Sequence, residues 1–339
     1  MHRLFLKGFI IRKEDFVMPK EFSSVYATHI NEFIAQKTKL GLRNMSFIGY
    51  LARIDRFAFD SRETSMGITR EFSDKWYLQK LHESSRSRSI RVRYLSEFSS
   101  YLVDLGIPSF IPKVPAYEVS TFTPYIYSVD QINSLFKILD SRYSRTNGNS
   151  NIFSAPIFFR VLYCTGIRYS EALELKDQEV NLDESYLIIK DCKNYKQRTI
   201  PIAESLSSLL REYRKHRDAS FRERRRDDLF FLKPNGERCG KAMKEIFRDA
   251  LIKANIPLLG RGHGPRIHDL RHTFAVFAMI KMIKNGFDLY ASLPILSTYL
   301  GHQSIAATNG YVRLTSNLYP QITKDLDVAF DGLYPKILI

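Results

Sequence analysis

The residue types that could carry chemistry in this chain are arginine, histidine, lysine and tyrosine, and they recur in the second half of its 339 residues. The stretch TGIRYSEALELK places Arg168 directly after a glycine turn, with Glu171 close enough to orient its guanidinium. The stretch HDLRHTFA places His268 and Arg271 three apart, on one side of a predicted helix. Two such arginines can bind the oxygens of a phosphodiester and stabilise the charge that grows during phosphoryl transfer.

The remaining candidates supply a nucleophile and proton donors. His302 and Tyr311 lie nine residues apart in LGHQSIAATNGYVRL, and Lys193 and Lys196 lie in the predicted hairpin DCKNYKQRTIPI. A lysine can protonate a leaving alkoxide, and a histidine can take or give a proton. No clustered Asp and Glu accompany these residues, so the sequence predicts that protein cations replace Mg²⁺ and that a side chain is the nucleophile. Tyrosine suits that role because a phosphotyrosine bond is reversible.

Competing interpretations of the same residues are structural or metal-binding. His268 and His272 are four apart, as in a zinc-protease helix, but that pattern needs a Glu after the first His and the chain has Asp269. The Arg–Glu pair of the first motif could serve the fold alone. Tyr299 and Tyr319 are rivals for the nucleophile; we expect Tyr299 to pack in the core.

Six residues together resemble, in order and spacing, the signature of the tyrosine recombinases, the phage-integrase family: Arg168, Lys193, His268, Arg271, His302 and Tyr311. The resemblance covers most of residues 125–320. It implies that Tyr311 attacks the scissile phosphate of DNA and leaves a 3′-phosphotyrosyl link. It also implies that Arg168 and Arg271 clamp the phosphate and that His302 hydrogen-bonds it.

The same resemblance implies how protons move and how strands are exchanged. Lys193 would protonate the departing 5′ oxygen and His268 would assist proton transfer; Lys193 is preferred to Lys196 because it lies five residues before Arg198, the usual family spacing. Four protomers would exchange strands through a Holliday junction, without a cofactor or metal, to integrate or excise a mobile element. Resolution of chromosome dimers is the other role that the sequence leaves open. Accessory DNA-bending or directionality proteins stay open. The alternatives are a nicking and resealing enzyme like the type IB topoisomerases, a DNA-binding protein that has lost catalysis, and a metal-dependent nuclease.

The composition agrees with a nucleic-acid partner. Lys plus Arg number 51 against 36 Asp plus Glu, which gives a net charge of +15 and favours polyanions as ligands. No apolar run approaches the length of a membrane-spanning helix. Three cysteines, at positions 164, 192 and 239, form no CxxC pair, so we expect reduced thiols and a cytoplasmic, nucleoid-associated protein.

The elements that must position these residues form two predicted domains in a mainly α fold with a small β-hairpin or sheet (α+β). We expect an N-terminal arm (1–22), a helical core DNA-binding domain (23–106), a proline-containing linker (107–124), a catalytic domain (125–318) and a C-terminal tail (319–339) that docks in cis or in trans. By the resemblance, the two domains form a C-clamp on duplex DNA. The periodicity predicts helices over 23–37, 45–59, 68–81 and 85–106 in the first domain.

In the second domain, helices are predicted after a capping box at Ser128 and Gln131, and over 153–164, 204–217, 240–254 and 267–284. Strands are predicted over 185–190 and 198–202. One basic run, SSRSRSIRVR, begins the fourth helix of the first domain with four arginines and no acid. These arginines are the predicted contacts to DNA phosphates or bases: Arg86, Arg88, Arg91 and Arg93.

Overall fold

The chain divides into two compact units in the computed structural model, Met1–Thr121 and Phe122–Ile339. The structure describes residues 21–41, 45–117, 123–143, 154–190, 197–219, 225, 227–233, 235–240, 242–260, 264–302 and 311. The boundary between the units falls inside the segment that the sequence predicts as a linker. The C-terminal tail and all but the last two residues of the predicted N-terminal arm lie outside the described residues.

The described part of the first unit contains four helices: α1 (Ala27–Lys39), α2 (Met45–Asp60), α3 (Arg70–Tyr77) and α4 (Ser85–Asp104). Side-chain caps explain where two of them start. The hydroxyl of Thr69 accepts a hydrogen bond from the backbone N–H of Phe72 at 3.1 Å, and Ser84 does the same for Ser87 at 3.1 Å. Helix α3 is shorter at both ends than the predicted 68–81, and the Thr69 cap accounts for its later start.

Aromatic side chains dominate the core of this unit. Tyr26 packs edge-to-face on Phe72 and Phe98, with ring centroids 5.8 and 5.9 Å apart, and the single tryptophan, Trp76, is 1% exposed. Each buried ring removes a large apolar area from water, and such paired rings contribute about 0.5–1.5 kcal/mol beyond that burial. Trp76 can thus report the unfolding of this unit.

The described part of the second unit contains seven α-helices, one short 3₁₀ helix (Asp177–Glu179) and three short strands. The helices are α5 (Val129–Tyr143), α6 (Ala155–Thr165), α7 (Tyr169–Glu174), α8 (Glu204–Ala219), α9 (Ala242–Lys253), α10 (Ile267–Lys284) and α11 (Leu289–Leu300). The strands are β1 (Val180–Asn181), β2 (Tyr186–Lys190) and β3 (Gln197–Pro201), which form an antiparallel sheet in that order.

The register of the sheet determines where Arg198 points. Leu187 pairs with Ile200, and Ile189 pairs with Arg198. Residues that pair across an antiparallel sheet share a face, and alternate residues along a strand share it too. Leu187, Ile189 and Ile200 are buried, so Arg198 lies on the inner face of the sheet, toward the helices.

Three helices, α6, α10 and α11, pack together in the core of the second unit. Helix α6 is apolar on nearly all sides, as expected for a helix enclosed by others, and it packs against α10, which packs against α11. Along α10, the side chains of Phe274, Phe277 and Ile280 are buried. Burial of each contributes about 1.5–3 kcal/mol, and it fixes the position of the polar turn at the start of this helix.

The predicted fold class is confirmed: the structure is mainly helical with a small three-stranded antiparallel sheet. Helix α10 has the predicted bounds, and the predicted capping box forms, because Ser128 and Gln131 exchange hydrogen bonds of 3.0 and 3.2 Å. Strand β1 was missed, since two residues are too few to show an alternating pattern.

Candidate active site

Arg271 joins the ends of two helices. Its guanidinium donates one hydrogen bond to the carbonyl of Gly166 at 2.7 Å and another to the carbonyl of Leu300 at 2.8 Å. These carbonyls lie at the C-termini of α6 and α11, where helices have unpaired acceptors and a partial negative charge. The side chain is 3% exposed, so the cation is held rigidly by backbone groups.

The two residues that end these helices have left-handed backbone conformations. Gly166 has φ +61° and Gly301 has φ +67°, a region that costs other residues about 1–2 kcal/mol. The glycines also leave room for close packing. A Cβ on Gly301 would lie 2.8 Å from the guanidinium of Arg198, and one on Gly166 would collide with the ring of Phe274.

Glu171 connects two further arginines to this junction. Its carboxylate accepts hydrogen bonds from Arg168 at 2.6 Å and from Arg198 at 3.1 and 2.8 Å. Arg168 also donates to the carbonyl of Gly301 at 2.6 Å, and Arg198 donates to that of Tyr299 at 3.0 Å. Burial alone would raise the pKa of Glu171, but the hydrogen bonds from Arg198 and Arg168 lower it to about 2.

Three arginines meet at this junction and form what we call the arginine cluster: Arg168, Arg198 and Arg271. The single carboxylate of Glu171 does not balance their positive charge. Three guanidiniums and the carboxylate of Glu171 leave a net charge of +2 at neutral pH. Burial and the neighbouring Arg168 lower the pKa of Arg271 to about 10, which still leaves it charged at neutral pH. Cations fixed in a partly buried site of this kind favour an anionic ligand.

Tyr311 lies beside this cluster and contacts two histidines. Its hydroxyl is 2.9 Å from Nδ1 of His272, and its ring lies nearly parallel to that of His302, with centroids 6.1 Å apart. Tyr311 is 4% exposed. Burial raises the pKa of its phenol, and the positive charges of Arg271 and Arg168 oppose part of that rise.

All three histidines near Tyr311 have lowered pKa values. Burial, with the charge of Arg271, lowers the pKa of His302 to about 4. Burial, with His268 and Arg271, lowers the pKa of His272 to about 3. The ring of His268 remains exposed to solvent, yet the protein around it removes part of its hydration and, with Arg271, also lowers its pKa. The histidines are therefore neutral at physiological pH.

The model of the phage integrase family matches residues 127–317, which is more than half of the chain. This chain belongs to the phage integrase family, the tyrosine recombinases. Two relatives show the breadth of the likeness. The protein y4rB of Sinorhizobium fredii, named as a candidate integrase/recombinase, is 27% identical over 312 residues, or 90% of this chain and 98% of that protein. Tyrosine recombinase XerA of Pyrococcus horikoshii is 26% identical over 245 residues, or 71% of this chain and 74% of that protein.

Solved structures of recombinases share the fold. The Tn1549 transposon integrase, solved in complex with transposon right end DNA, matches with a TM-score of 0.60 at 15% identity, covering 85% of this chain and 94% of that chain. The recombinase XerH, solved on its palindromic difH substrate, matches with a TM-score of 0.59 at 17% identity, covering 87% and 84%. The predicted family is thereby confirmed.

The structure brings five of the six predicted recombinase site residues into one place: Arg168, His268, Arg271, His302 and Tyr311. Lys193 and its rival Lys196 lie outside the described residues, in the connection between β2 and β3. Tyr319 lies outside them too. The rival Tyr299 stacks on Phe274 with centroids 5.5 Å apart, so it packs in the core as expected.

Two residues at this candidate site were not predicted to have a role there. Arg198 was used only to count residues, although an arginine on the inner face of a strand is a recognisable signal once the strand is placed. His272 was considered only as a zinc ligand. Its spacing of four from His268 puts both rings on one side of α10, and their centroids are 4.8 Å apart.

The four arginines predicted to bind DNA have different surroundings in helix α4. Arg86 and Arg93 are exposed and Arg88 is half-buried. Arg88 donates to the carbonyl of Tyr77 at 2.9 Å. These three remain candidates for contacts with a polyanion.

Arg91 does not fit that prediction, because its side chain is 2% exposed. Its guanidinium donates to both carboxylate oxygens of Glu83 at 2.7 Å, to the carbonyl of Leu78 at 3.0 Å and to that of Trp76. These contacts join α4 to the end of α3 and to the connection between the two helices. We therefore omit Arg91 from the proposed DNA contacts.

Two features are absent from the described part of the chain, a membrane-spanning helix and a metal-binding cluster. No helix there combines the length and the apolar character needed to cross a membrane. In the same residues, no group of three or more His, Cys, Asp or Glu side chains is arranged to hold a metal ion. His268 and His272 are thus not accompanied by a third ligand among the residues described.

Proposed function

We propose that this recombinase cuts and rejoins duplex DNA at specific sites through a 3′-phosphotyrosyl intermediate, with Tyr311 as the nucleophile. The observation that carries the proposal is the position of the Tyr311 hydroxyl. It lies beside Arg271 and Arg168, whose charges act on its pKa, and 2.9 Å from a histidine nitrogen. A phosphate bound by those arginines would lie next to this oxygen.

The arginine cluster would bind the scissile phosphate. A guanidinium has five N–H donors, and the described contacts of Arg168 and Arg271 to carbonyl and carboxylate oxygens use two in each side chain. Arg271 also donates to Tyr311, and the remaining N–H groups would bind phosphate oxygens. Because helix ends and Glu171 already fix these side chains, little reorganisation is needed as charge grows in the transition state.

The other roles follow those implied by the family. His302 donates a hydrogen bond to the phosphate, Lys193 protonates the leaving 5′ oxygen and His268 assists proton transfer. The reaction needs no metal or cofactor, because the net positive charge of the arginine cluster meets the charge of the phosphate. A neutral His302 supports this role, since one of its ring nitrogens then carries a proton that it can donate.

The partner is double-stranded DNA, bound by both units. Arg86, Arg88 and Arg93 on α4 would contact it from the first unit, and a formal charge of +15 favours such binding. By analogy with the family, four protomers assemble on DNA and exchange strands through a Holliday junction. The biological role would be integration or excision of a mobile element.

The test is a covalent trapping assay. The duplex would be recovered by selection for binding to the full chain, labelled, and nicked at a series of positions, so that a short cleaved fragment diffuses away and religation fails. We expect an adduct that survives SDS, forms in EDTA, and is lost in Tyr311→Phe. Tyr299→Phe is the matched control and should retain it. An adduct that requires a divalent metal, or that Tyr311→Phe still forms, would refute the proposal.

A further inference from the structure

The hydrogen bond between His272 and Tyr311 connects the proposed nucleophile to a residue that has no assigned role. The two residues are 39 apart in sequence, and their side chains meet at 2.9 Å between Nδ1 and the phenol oxygen. The ring planes are tilted by 51° with centroids 5.6 Å apart. His272 lies one helical turn beyond His268, on a helix that its buried apolar residues hold in place. The contact is therefore rigidly supported from the α10 side.

The protons at this contact can be assigned from its chemistry. A phenol with a raised pKa keeps its proton at neutral pH, and a buried hydroxyl needs an acceptor for it. Arg271, which also hydrogen-bonds Tyr311, can only donate. Among the described residues, the acceptor recorded for Tyr311 is Nδ1 of His272. His272 must then carry its own proton on Nε2.

We propose that His272 is a catalytic residue that accepts the phenolic proton of Tyr311 during strand cleavage. This inference rests on the proposed function. As the phenol oxygen forms its bond to phosphorus, its proton passes to Nδ1 of His272, and the bond from phosphorus to the 5′ oxygen breaks. The leaving oxygen takes a proton from Lys193. Religation reverses each transfer, so His272 returns its proton to Tyr311.

The acidities of the Tyr311 phenol and of His272 suit a proton transfer that occurs while the phenol oxygen attacks phosphorus. Before attack, the phenol holds its proton far more tightly than His272, whose pKa is lowered to about 3. Once the phenol oxygen is bonded to phosphorus, its proton becomes strongly acidic. The pKa of His272 therefore lies between the pKa values of that oxygen before and after attack. This is the condition under which a base assists in the transition state. A bound phosphate would raise the pKa of His272 from this lowered value, since it offsets the charge of Arg271.

The other two histidines are placed differently. The ring of His302 lies nearly parallel to the phenol ring, with centroids 6.1 Å apart, and we assign to it the phosphate contact that the family implies. The ring of His268 stands at right angles to that of His272, with centroids 4.8 Å apart, and His268 is exposed. His268 can therefore exchange protons between His272 and water, which agrees with the assisting role that the family implies for it.

The experiment compares His272→Asn and His272→Leu with the wild type in single-turnover cleavage at saturating DNA. The Asn side chain keeps a hydrogen-bond acceptor near the position of Nδ1 but cannot take a proton. Both variants should bind DNA within about twofold of the wild type and cleave at least about 100-fold more slowly. His216→Asn, an exposed histidine that hydrogen-bonds Glu212 at 3.0 Å on α8, is the matched control and should cleave normally.

A second substrate separates the two ends of the reaction. In a 5′-bridging phosphorothiolate the leaving group departs as a thiolate and needs no proton. It should restore cleavage by Lys193→Ala, where protonation of the leaving group is lost, but not by His272→Asn. Wild-type cleavage by His272→Asn, or its rescue by the sulfur substrate, would overturn the inference. Absence of any adduct with the wild type would instead refute the proposed function.

Discussion

Replacement of Glu171 by glutamine tests how the arginine cluster is held. The side chain is 8% exposed and forms ion pairs with Arg168 and Arg198. Glutamine has nearly the shape of glutamate, so Glu171→Gln removes the charge and turns one of the two acceptor oxygens into a donor. The pKa of Glu171 falls from 4.5 to about 2 in the folded chain. At about 1.36 kcal/mol per pKa unit, the ionised form contributes about 3 kcal/mol at pH 7.

The sign of the pH dependence follows from the lowered pKa. A carboxyl group with a depressed folded-state pKa stabilises the protein above its unfolded pKa, and that contribution is lost as the pH falls through 4.5 toward 2. By linkage, the difference between the wild type and Glu171→Gln should shrink to roughly 2 kcal/mol at pH 3.5. The variant should also cleave DNA more slowly, since Arg168 loses its anchor.

The assay is urea unfolding of the full chain at both pH values. Circular dichroism follows both units, whereas fluorescence of Trp76 follows the first, because it is the single tryptophan. The substitution should shift the dichroism transition and leave the fluorescence transition in place. Glu237→Gln, which removes an exposed carboxylate 2.6 Å from Lys233, is the matched control and should change little. A Glu171→Gln chain as stable as the wild type at pH 7 would refute this reasoning.

Three further changes test other parts of the structure. Gly301→Ala should destabilise the chain by more than about 1 kcal/mol in urea unfolding, because the left-handed backbone is strained and the new Cβ would lie 2.8 Å from Arg198. Arg91→Met should cost about 3–5 kcal/mol, read by tryptophan fluorescence, because it leaves Glu83, whose side chain is 11% exposed, without its cation. Buried His302 stays neutral in the folded chain down to about pH 4, whereas in the unfolded chain it takes up a proton below its ordinary pKa of 6.5. The free energy of unfolding should therefore decrease as the pH is lowered from 6.5 to about 4, and it should decrease less steeply in His302→Asn.

Each of these has a matched comparison. Gly286 also has a left-handed backbone, at φ +86°, but open space where a Cβ would be, so Gly286→Ala should show only the strain. Arg93 is exposed, with a long ion pair of 3.7 Å to Glu97. Arg93→Ala should leave stability within about 0.5 kcal/mol but weaken DNA binding and reduce its salt dependence by about one counterion. Equal costs within either pair would contradict the structural explanation, as would identical pH slopes for the wild type and His302→Asn.

Local patterns predicted most of the helices because each is set by neighbours in sequence. The apolar period of residues 267–284 and the capping box at Ser128 are such signals. Arg91 shows where the pattern was misinterpreted. It lies four residues before Leu95 and seven before Phe98, so it belongs to the buried stripe of α4. The basic run around it concealed that spacing.

The geometry of the site could not be predicted from the sequence, since it depends on contacts between distant residues. Arg168 and Gly301 are 133 residues apart, and Arg271 and Gly166 are 105 apart. Spacing along the chain identified the reactive residue types, and the resemblance ordered them. Only the fold shows that helix ends hold the arginines and that His272 contacts the nucleophile.

The most direct test of Tyr311 as the nucleophile is to identify the residue that carries the DNA. The trapped adduct would be digested with nuclease and trypsin and analysed by tandem mass spectrometry. Trypsin releases residues 285–313 as one peptide that holds Tyr290, Tyr299 and Tyr311, while Tyr319 lies in the next peptide. We predict a nucleotide phosphate on Tyr311. A modification on any other residue, Tyr319 included, would contradict the assignment.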